Sequence, residues 1–355
     1  MKKIRLLCTA AVMTIILSSA TFVQAAGTTL DIDSITSKAI ESSYQLKSID
    51  ISIEKAKNTL KDATRGAGKG NADIEVKYSI YEYTNLKEAA KNSIKLNMQT
   101  QYSSFINTKE ALDLETQEFQ NTESKYKRAQ LQLSLGTISR NEFKTMEQSY
   151  YDGKAQLNKA QRKFDSTTKT INQASGLSLN DTYTGFTKDI ITDTTNIKTY
   201  NDYLNDALQN RVEILNDNEK IKLKKLEFAG IRGANPYNNS PEYIIGKYGV
   251  TEAENKLETD KIDISIEING LYNDLQSKIQ KLQPQKENYN AEKKKYDQAL
   301  QKYNLGMISK IDFQDQSAAF KAAENSLKLA QRDVALAKLK LEYASGLGTN
   351  SLSSN

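Results

Sequence analysis

The chain of 355 residues has a net charge of +5, with 38% apolar and 26% charged residues, a balance too hydrophobic for disorder and ordinary for a folded protein. It contains no His, no Trp and a single Cys, which excludes imidazole catalysis and the soft metal sites built from several Cys or His. So even a charge balance gives no reason to expect nucleic acid as a partner.

The first predicted element is a leader. Lys2, Lys3 and Arg5 precede the apolar stretch Leu6 to Leu17, and Val23, Gln24 and Ala25 offer small residues for cleavage. This pattern predicts a secretory signal peptide over 1–25, too short to span a membrane. Its removal takes away three positive charges and no acid, so +5 becomes +2. Cys8 lies within it, and the mature chain has no thiol or disulfide chemistry.

Residues 26–177 read as one structural repeat. A first helix is predicted from Leu30 to Ala63, with apolar positions such as Ile35, Ala39, Leu46, Ile49 and Ile53 alternating steps of three and four. The glycine-rich run 65–70 breaks it within a short insert at 64–84. Between Asp73 and Tyr83, Ile74, Val76, Tyr78 and Ile80 alternate with polar neighbours, which predicts at most one strand. A long helix follows from Asn85 to Leu135, then a tip at 135–139, then a helix from Ser139 to Ser175 ended by Gly176. A polar linker, rich in Thr and Asp, covers 178–198.

The second repeat, 199–347, is written in the same order. A helix is predicted from Thr199 to Gly230, then a short insert at 231–250 containing Pro236 and Pro241. A long helix from Thr251 to Leu305 carries Pro284, where a lost backbone hydrogen bond predicts a kink. The tip is 305–309, the last helix runs from Ser309 to Ser345 with Gly346 as cap, and a polar tail covers 348–355.

The duplication is exact in spacing. Before the first tip a seven-residue step runs Met98, Phe105, Leu112, Phe119, Tyr126, Leu133; before the second it runs Ile268, Leu275, Leu282, Tyr289, Tyr296, Tyr303. After the tips it resumes as Phe143, Tyr150, Leu157, Phe164, Ile171 and as Phe313, Phe320, Leu327, Val334, Leu341. Each residue lies 170 positions from its counterpart, so a whole supersecondary unit is repeated. A period of 3.5 imposes a left-handed supercoil. Second seams of small residues, Gly153, Ala160, Thr167, Ala174 and Ala323, Ala330, Ala337, Ala344, let the backbones approach. The expected fold is all-α: two long antiparallel coiled-coil hairpins with little or no β-structure. At the tips, Ser139 with Glu142 and Ser309 with Asp312 match a capping box, and Gly136 and Gly306 supply the turns.

These motifs resemble the TolC-like outer-membrane efflux duct family. The resemblance rests on Leu-Gly-x-Ile-Ser at both tips and on Ala-Ser-Gly-Leu at 174–177 and 344–347. Leu-x-x-Ala-Gln-Arg at 157–162 and 327–332 adds to it. It implies a homotrimer whose hairpins form a hollow cylinder of helices, with tips that meet a membrane-fusion-type adaptor and an inner-membrane pump. The docking residues it implies are Leu135, Gly136, Ile138 and Ser139 at one tip, and Leu305, Gly306, Met307, Ile308 and Ser309 at the other. It also implies a ring of pore acids, Asp312 and Asp315, and a gate latch formed by Tyr303 with Glu142. The family's latch arginine is absent, because Ile308 stands at its position. The family also inserts two membrane strands per repeat, each needing about 9–11 residues, and neither insert here has room for them. The expected function is an export duct component in the cell envelope, non-enzymatic and without cofactor or metal. The alternative is an exported coiled-coil protein that keeps the rod without transport.

Overall fold

The computed structural model describes residues 28–65, 72–191, 196–234 and 237–349. Residues 1–27, 66–71, 192–195, 235–236 and 350–355, among them the predicted leader, the rest of the glycine-rich run, Pro236 and the end of the tail, lie outside the described residues.

Eight helices make up the described fold. The first repeat contains α1 (Ile32–Ser42), α2 (Tyr44–Arg65), α3 (Ala72–Ser134) and α4 (Arg140–Ser175); the second contains α5 (Tyr200–Asn210), α6 (Val212–Ala234), α7 (Pro241–Asn304) and α8 (Lys310–Ser345). Two short strands, β1 (Thr29–Leu30) and β2 (Gly185–Phe186), pair in parallel. At 1.5 Å per residue, the 63 residues of α3 and the 64 of α7 each reach about 95 Å.

The predicted heptads are the hairpin seams. Met98, Phe105 and Ile171 are fully buried in the first repeat, as are Ile268, Leu275 and Leu341 in the second. Nearer the tips the seam becomes an aromatic stack. Tyr126 lies between Phe143 and Tyr150, with centroids at 5.7 and 4.7 Å. Tyr296 lies likewise between Phe313 and Phe320, at 5.6 and 5.0 Å. Such offset ring pairs add to the burial of their area.

The helices form an array. α3 packs against α2 and α4 of its own repeat and against α6 and α8 of the other, whereas α7 packs against α5, α6 and α8 of its own repeat. The order across the array is therefore α2/α4, α3, α6/α8, α7. The join between repeats is polar in part. Arg332 of α8 is fully buried; Nε and Nη2 donate to the two carboxylate oxygens of Asp189 at 2.7 and 2.6 Å, and Nη1 donates to Asn107 and Glu110 of α3, both at 2.7 Å.

Four sequence expectations need correction. The strand expected within Asp73–Tyr83 is helical and belongs to α3. Its apolar residues also satisfy helical spacing, Asp73 and Lys77 pair at i,i+4 (3.1 Å), and Asp73 and Glu75 in the first turn favour a helix N-terminus. The helix expected over Leu30–Ala63 breaks at Ser43, and the one over Thr199–Gly230 breaks at Arg211; both residues take extended ψ values, 114° and 138°. The insert at 231–250 is mostly helix, because Ser240 caps α7 and Pro241 sits in its first turn, where no N–H is needed. The linker at 178–198 docks on the rod: Tyr183, Phe186 and Ile190 pack on the first core, and Tyr102 Oη donates to the Lys188 carbonyl at 2.8 Å. Helix α7 continues through Pro284. Gly176 caps α4 in the left-handed region; at the end of α8 that conformation falls to Gly348 instead of Gly346.

Candidate functional site: tips, pore-side acids and an open edge

Both tips are built by the same bonds. Gly136 and Gly306 sit at φ +69° and +70°, which a glycine adopts without strain. Their N–H groups donate to Leu133 and Tyr303 at 3.0 and 2.9 Å, while Thr137 and Met307 donate to Gln132 and Lys302 at 2.9 and 2.8 Å. These are the paired bonds of a Schellman closure. The turn thrusts its apolar residues outward: Leu135, Leu305 and Met307 are 68%, 74% and 69% exposed. Ile138 and Ile308 are half-buried beneath them, and Ser139 and Ser309 begin the next helices.

Glu142 and Asp312 are cap residues. The Ser139 N–H donates to Glu142 Oε2 at 2.7 Å, and Glu142 returns its N–H to Ser139 Oγ at 3.2 Å. Ser309 Oγ donates to Asp312 Oδ2 at 2.7 Å, and the Asp312 N–H donates to Ser309 Oγ at 3.2 Å. The backbone bond from Ser309 also holds Asp312 below the usual carboxylate range, after the hydroxyl, and Glu142 is lowered first by its backbone bond from Ser139. Tyr303 stacks on Phe313, centroids 5.0 Å apart and rings 10° from parallel.

Asp315 faces α3. Lys125 Nζ donates to both its oxygens, at 2.7 and 2.8 Å, and Asn121 donates its amide to the same carboxylate. Of the two acids expected to line a pore, Asp315 thus carries a lysine across the helix pair, while Asp312 is held by its own cap. The structure does not bring Tyr303 and Glu142 together in one recorded contact; they belong to different hairpins.

One feature escaped the sequence reading. On α3, Asn85 donates to Asn216 of α6 at 2.9 Å, the Tyr78 ring lies 4.7 Å under Lys220 Nζ, and Asn92 donates to the Gly348 carbonyl at 3.2 Å. The positions 170 residues on are Tyr248, Asn255 and Ile262 of α7, and all three are exposed. With Ile245, Thr259 and Ile266 they form two heptad rows that continue as Asn269, Asn273, Gln280 and Gln283. Glu252 is the single charge in that stripe, on a helix otherwise dense in Lys and Glu. Ile245, Tyr248, Ile262 and Ile266 are 69%, 61%, 61% and 67% exposed, and a groove of about 650 Å³ runs along Tyr200, Ile262, Ile266 and Gly270. The signal available in the sequence was the recurrence itself: Tyr78 and Tyr248, Asn85 and Asn255.

The opposite edge of the array is open too. The helix breaks at Ser43 and Arg211 align α2 with α6 at a spacing of 168. Val212 is buried at 1% exposure, but its counterpart Tyr44 is 86% exposed. Asn216, bonded to Asn85, has exposed Ser48 as its counterpart.

Residues 242–347 match the outer membrane efflux protein family. The chain resembles the CmeC outer membrane channel of Campylobacter jejuni at 13% identity, over 90% of this chain and 87% of that one, with a TM-score of 0.65. It resembles the outer membrane protein VceC of Vibrio cholerae at 11% identity, over 90% and 97%, with a TM-score of 0.61. It also resembles the open state of the MtrE outer membrane channel of Neisseria gonorrhoeae at 12% identity, over 90% and 91%, with a TM-score of 0.54. Comparison with curated protein sequences finds no match. The fold is thus shared with these outer membrane channels, and the segment 242–347 carries the sequence likeness to the efflux protein family. No described helix is long and apolar enough to cross a membrane.

Proposed function

We propose that the chain is an export duct component of the cell envelope: three copies close edge to edge into a helical conduit. Its tips dock on a membrane-fusion-type adaptor and an inner-membrane pump. The observation that supports this is the unfinished edge. Tyr78 and Asn85, which α3 uses to join the second repeat, recur on α7 as the exposed Tyr248 and Asn255, and Tyr44 and Ser48 on the α2 face that would meet them are exposed as well. A surface that complements the other edge of its own array closes head to tail into a ring. Three protomers of four rod positions each make the twelve-helix cylinder of the family it resembles. Burying Tyr44, Ile51, Tyr248, Ile262 and Ile266 between copies contributes about 1.5–3 kcal/mol per fully covered side chain.

In such a ring Asp312 and Asp315 form the acidic constriction and Tyr303 and Glu142 the gate. Lys125 offsets Asp315, so Asp312→Asn lowers cation selectivity more than Asp315→Asn does, read as reversal potential across a bilayer. The apolar tip residues Leu135, Leu305 and Met307, with Ile138 and Ile308, are the adaptor contact.

A second reading has its own support. The helices fill both places where spanning strands would stand, and the connections left, 66–71 and 235–240, are shorter than the 9–11 or so residues that one strand needs. An exported rod without a pore satisfies that. Oligomeric mass and adaptor pull-down decide: three copies that capture an adaptor through Leu135 and Leu305 support the duct, and a monomer that captures none rejects it.

A further inference from the structure

The two repeats differ most in one core layer. In the first, Ile49 of α2 and Ala90 of α3 are 2% and 1% exposed within an apolar cluster with Leu46 and Ile53. The counterparts, 168 and 170 residues on, are Asp217 of α6 and Asp260 of α7, and Leu86 is replaced by Lys256. A dry layer has become two carboxyls and an ammonium. Lys256 Nζ pairs with Asp260 Oδ1, and the Asp260 side chain is 12% exposed. Asp217 Oδ2 is buried and receives no bond from an ordinary donor. The neighbour in reach is the Asp260 carboxyl.

A buried carboxylate oxygen without a donor is costly. Two carboxyls in contact resolve that cost by sharing a proton, since both cannot ionise cheaply at close range. We propose that Asp217, Asp260 and Lys256 form a proton-operated latch between α6 and α7, closed when the carboxyl pair holds a proton and loosened when it does not. The groups facing Asp217 are acidic but for one lysine. From α7 come Asp260, Lys256 and, beyond the lysine, Asp263; from α6 comes Glu213; from α3 comes the Tyr78 hydroxyl. Lys256 is the only cation among them, and its pairing is with Asp260. Burial first, then the charge of Asp260, pushes Asp217 up to about 7. The same surroundings, burial first, push Tyr78 up as well.

The direction of the pH effect follows. A carboxyl ordinarily near 4 that is raised in the folded chain contributes stability that is complete at low pH. That stability falls as pH rises through the folded value and is gone above about pH 7. The relevant control is Asp217→Asn, which keeps the shape and a neutral donor toward Asp260. Between about pH 5 and about pH 8.5, the unfolding equilibrium constant of the mature wild-type chain rises relative to this variant by at least about tenfold. The ceiling over that range is about a hundredfold, because only about two pH units separate its lower end from the folded value of about 7, and it is reduced because Asp217 is only half-buried. Protection of amides in α6 and the first part of α7, taken relative to the intrinsic base-catalysed exchange rate at each pH, falls over the same range in the wild type alone. Infrared difference spectra across that range show loss of a protonated-carboxyl band that Asp217→Asn lacks. A second variant transplants the first repeat's layer, Asp217→Ile with Asp260→Ala and Lys256→Leu, and keeps the measurement available if the asparagine variant does not fold. Its stability gains over the wild type at about pH 8.5 and flattens with pH. Parallel pH profiles for wild type and either variant, or no protonated-carboxyl band, overturn the latch.

Discussion

Helices α3 and α7 are counterparts of nearly equal length, yet one is enclosed and the other stands at an edge. α3 touches both repeats; its Tyr78 and Asn85 have partners in the second repeat, and its Asn92 has one at Gly348 just beyond it. α7 repeats the tyrosine and the asparagine, replaces the next position by Ile262, and leaves all three in solvent. The difference teaches that α7 carries, exposed, part of the surface by which α3 joins the second repeat, which is the surface the proposed ring would use. The copying is uneven along the rod. Away from the tips, rows on α7 with Glu252 as their single charge stand where α3 has the polar join. Nearer the tips, Lys125 with Asp315 has the counterpart Lys295 with Thr145, and Gln117 with Ser317 has Glu287 with Glu147. A seam between copies formed as proposed would lack the ion pair that fastens the seam within the chain.

The largest expected effect comes from putting charge into the α7 edge. Ile262→Asp with Ile266→Asp should weaken association of the mature chain by more than about a hundredfold, read by sedimentation, while far-ultraviolet dichroism stays unchanged. The same change in the enclosed helix, Leu96→Asp, should instead destabilise the monomer, since Leu96 is half-buried within the chain. If both variants behave alike, the two helices are not in different settings.

Next in size is the arginine of the repeated Leu-x-x-Ala-Gln-Arg motif. Arg332→Met strands the Asp189 and Glu110 carboxylates inside the join and should cost about 3–5 kcal/mol in denaturant unfolding. Its copy Arg162 is exposed, and Arg162→Met in the dissociated chain should cost under about 1 kcal/mol. Equal costs would mean that the join is not where the two repeats diverge.

Smaller still, Gly136→Ala and Gly306→Ala should each cost about 1–2 kcal/mol, and by the same amount. Both glycines have φ near +70°, and an added methyl meets nothing within 4 Å. The smallest is Asp315→Asn, which releases a half-exposed Lys125 and should cost under about 1 kcal/mol, with Thr145→Ala, at its counterpart, costing less.

The rods were legible because a heptad of Phe, Tyr, Leu and Ile over 170-residue copies leaves one packing solution. The tips were legible because Gly-x-Ile-Ser with an acid three residues on is a local code, complete within nine residues. The segment 73–83 misled because Ile74, Val76, Tyr78 and Ile80 satisfy a strand period while Asp73, Lys77 and Tyr81 satisfy a helical one. The length of α3 behind them decided for helix. The clasp at Arg332 was hidden because its partners Asn107, Glu110 and Asp189 are scattered through the chain, and its exposed twin Arg162 looks identical in sequence. The α7 edge was hidden for a related reason: Asn and Gln on a helix read as solvent residues until the counterpart on α3 is seen to be enclosed. The pore acids and latch residues rest on family resemblance, and their local bonds explain their presence equally well as caps and cross-helix pairs.

The most direct test of edge-to-edge closure uses the Asn85–Asn216 bond, whose counterpart between copies is Asn255 against Ser48. The chain's one cysteine is Cys8, within the predicted leader, so the mature Ser48→Cys, Asn255→Cys double variant carries thiols at those two places alone. Treated with a short thiol-bridging reagent, it should yield a covalent band at three chain masses, and neither single variant should. A double variant that stays monomeric, or single variants that cross-link as well as the double, would contradict a ring closed head to tail through α7 and α2.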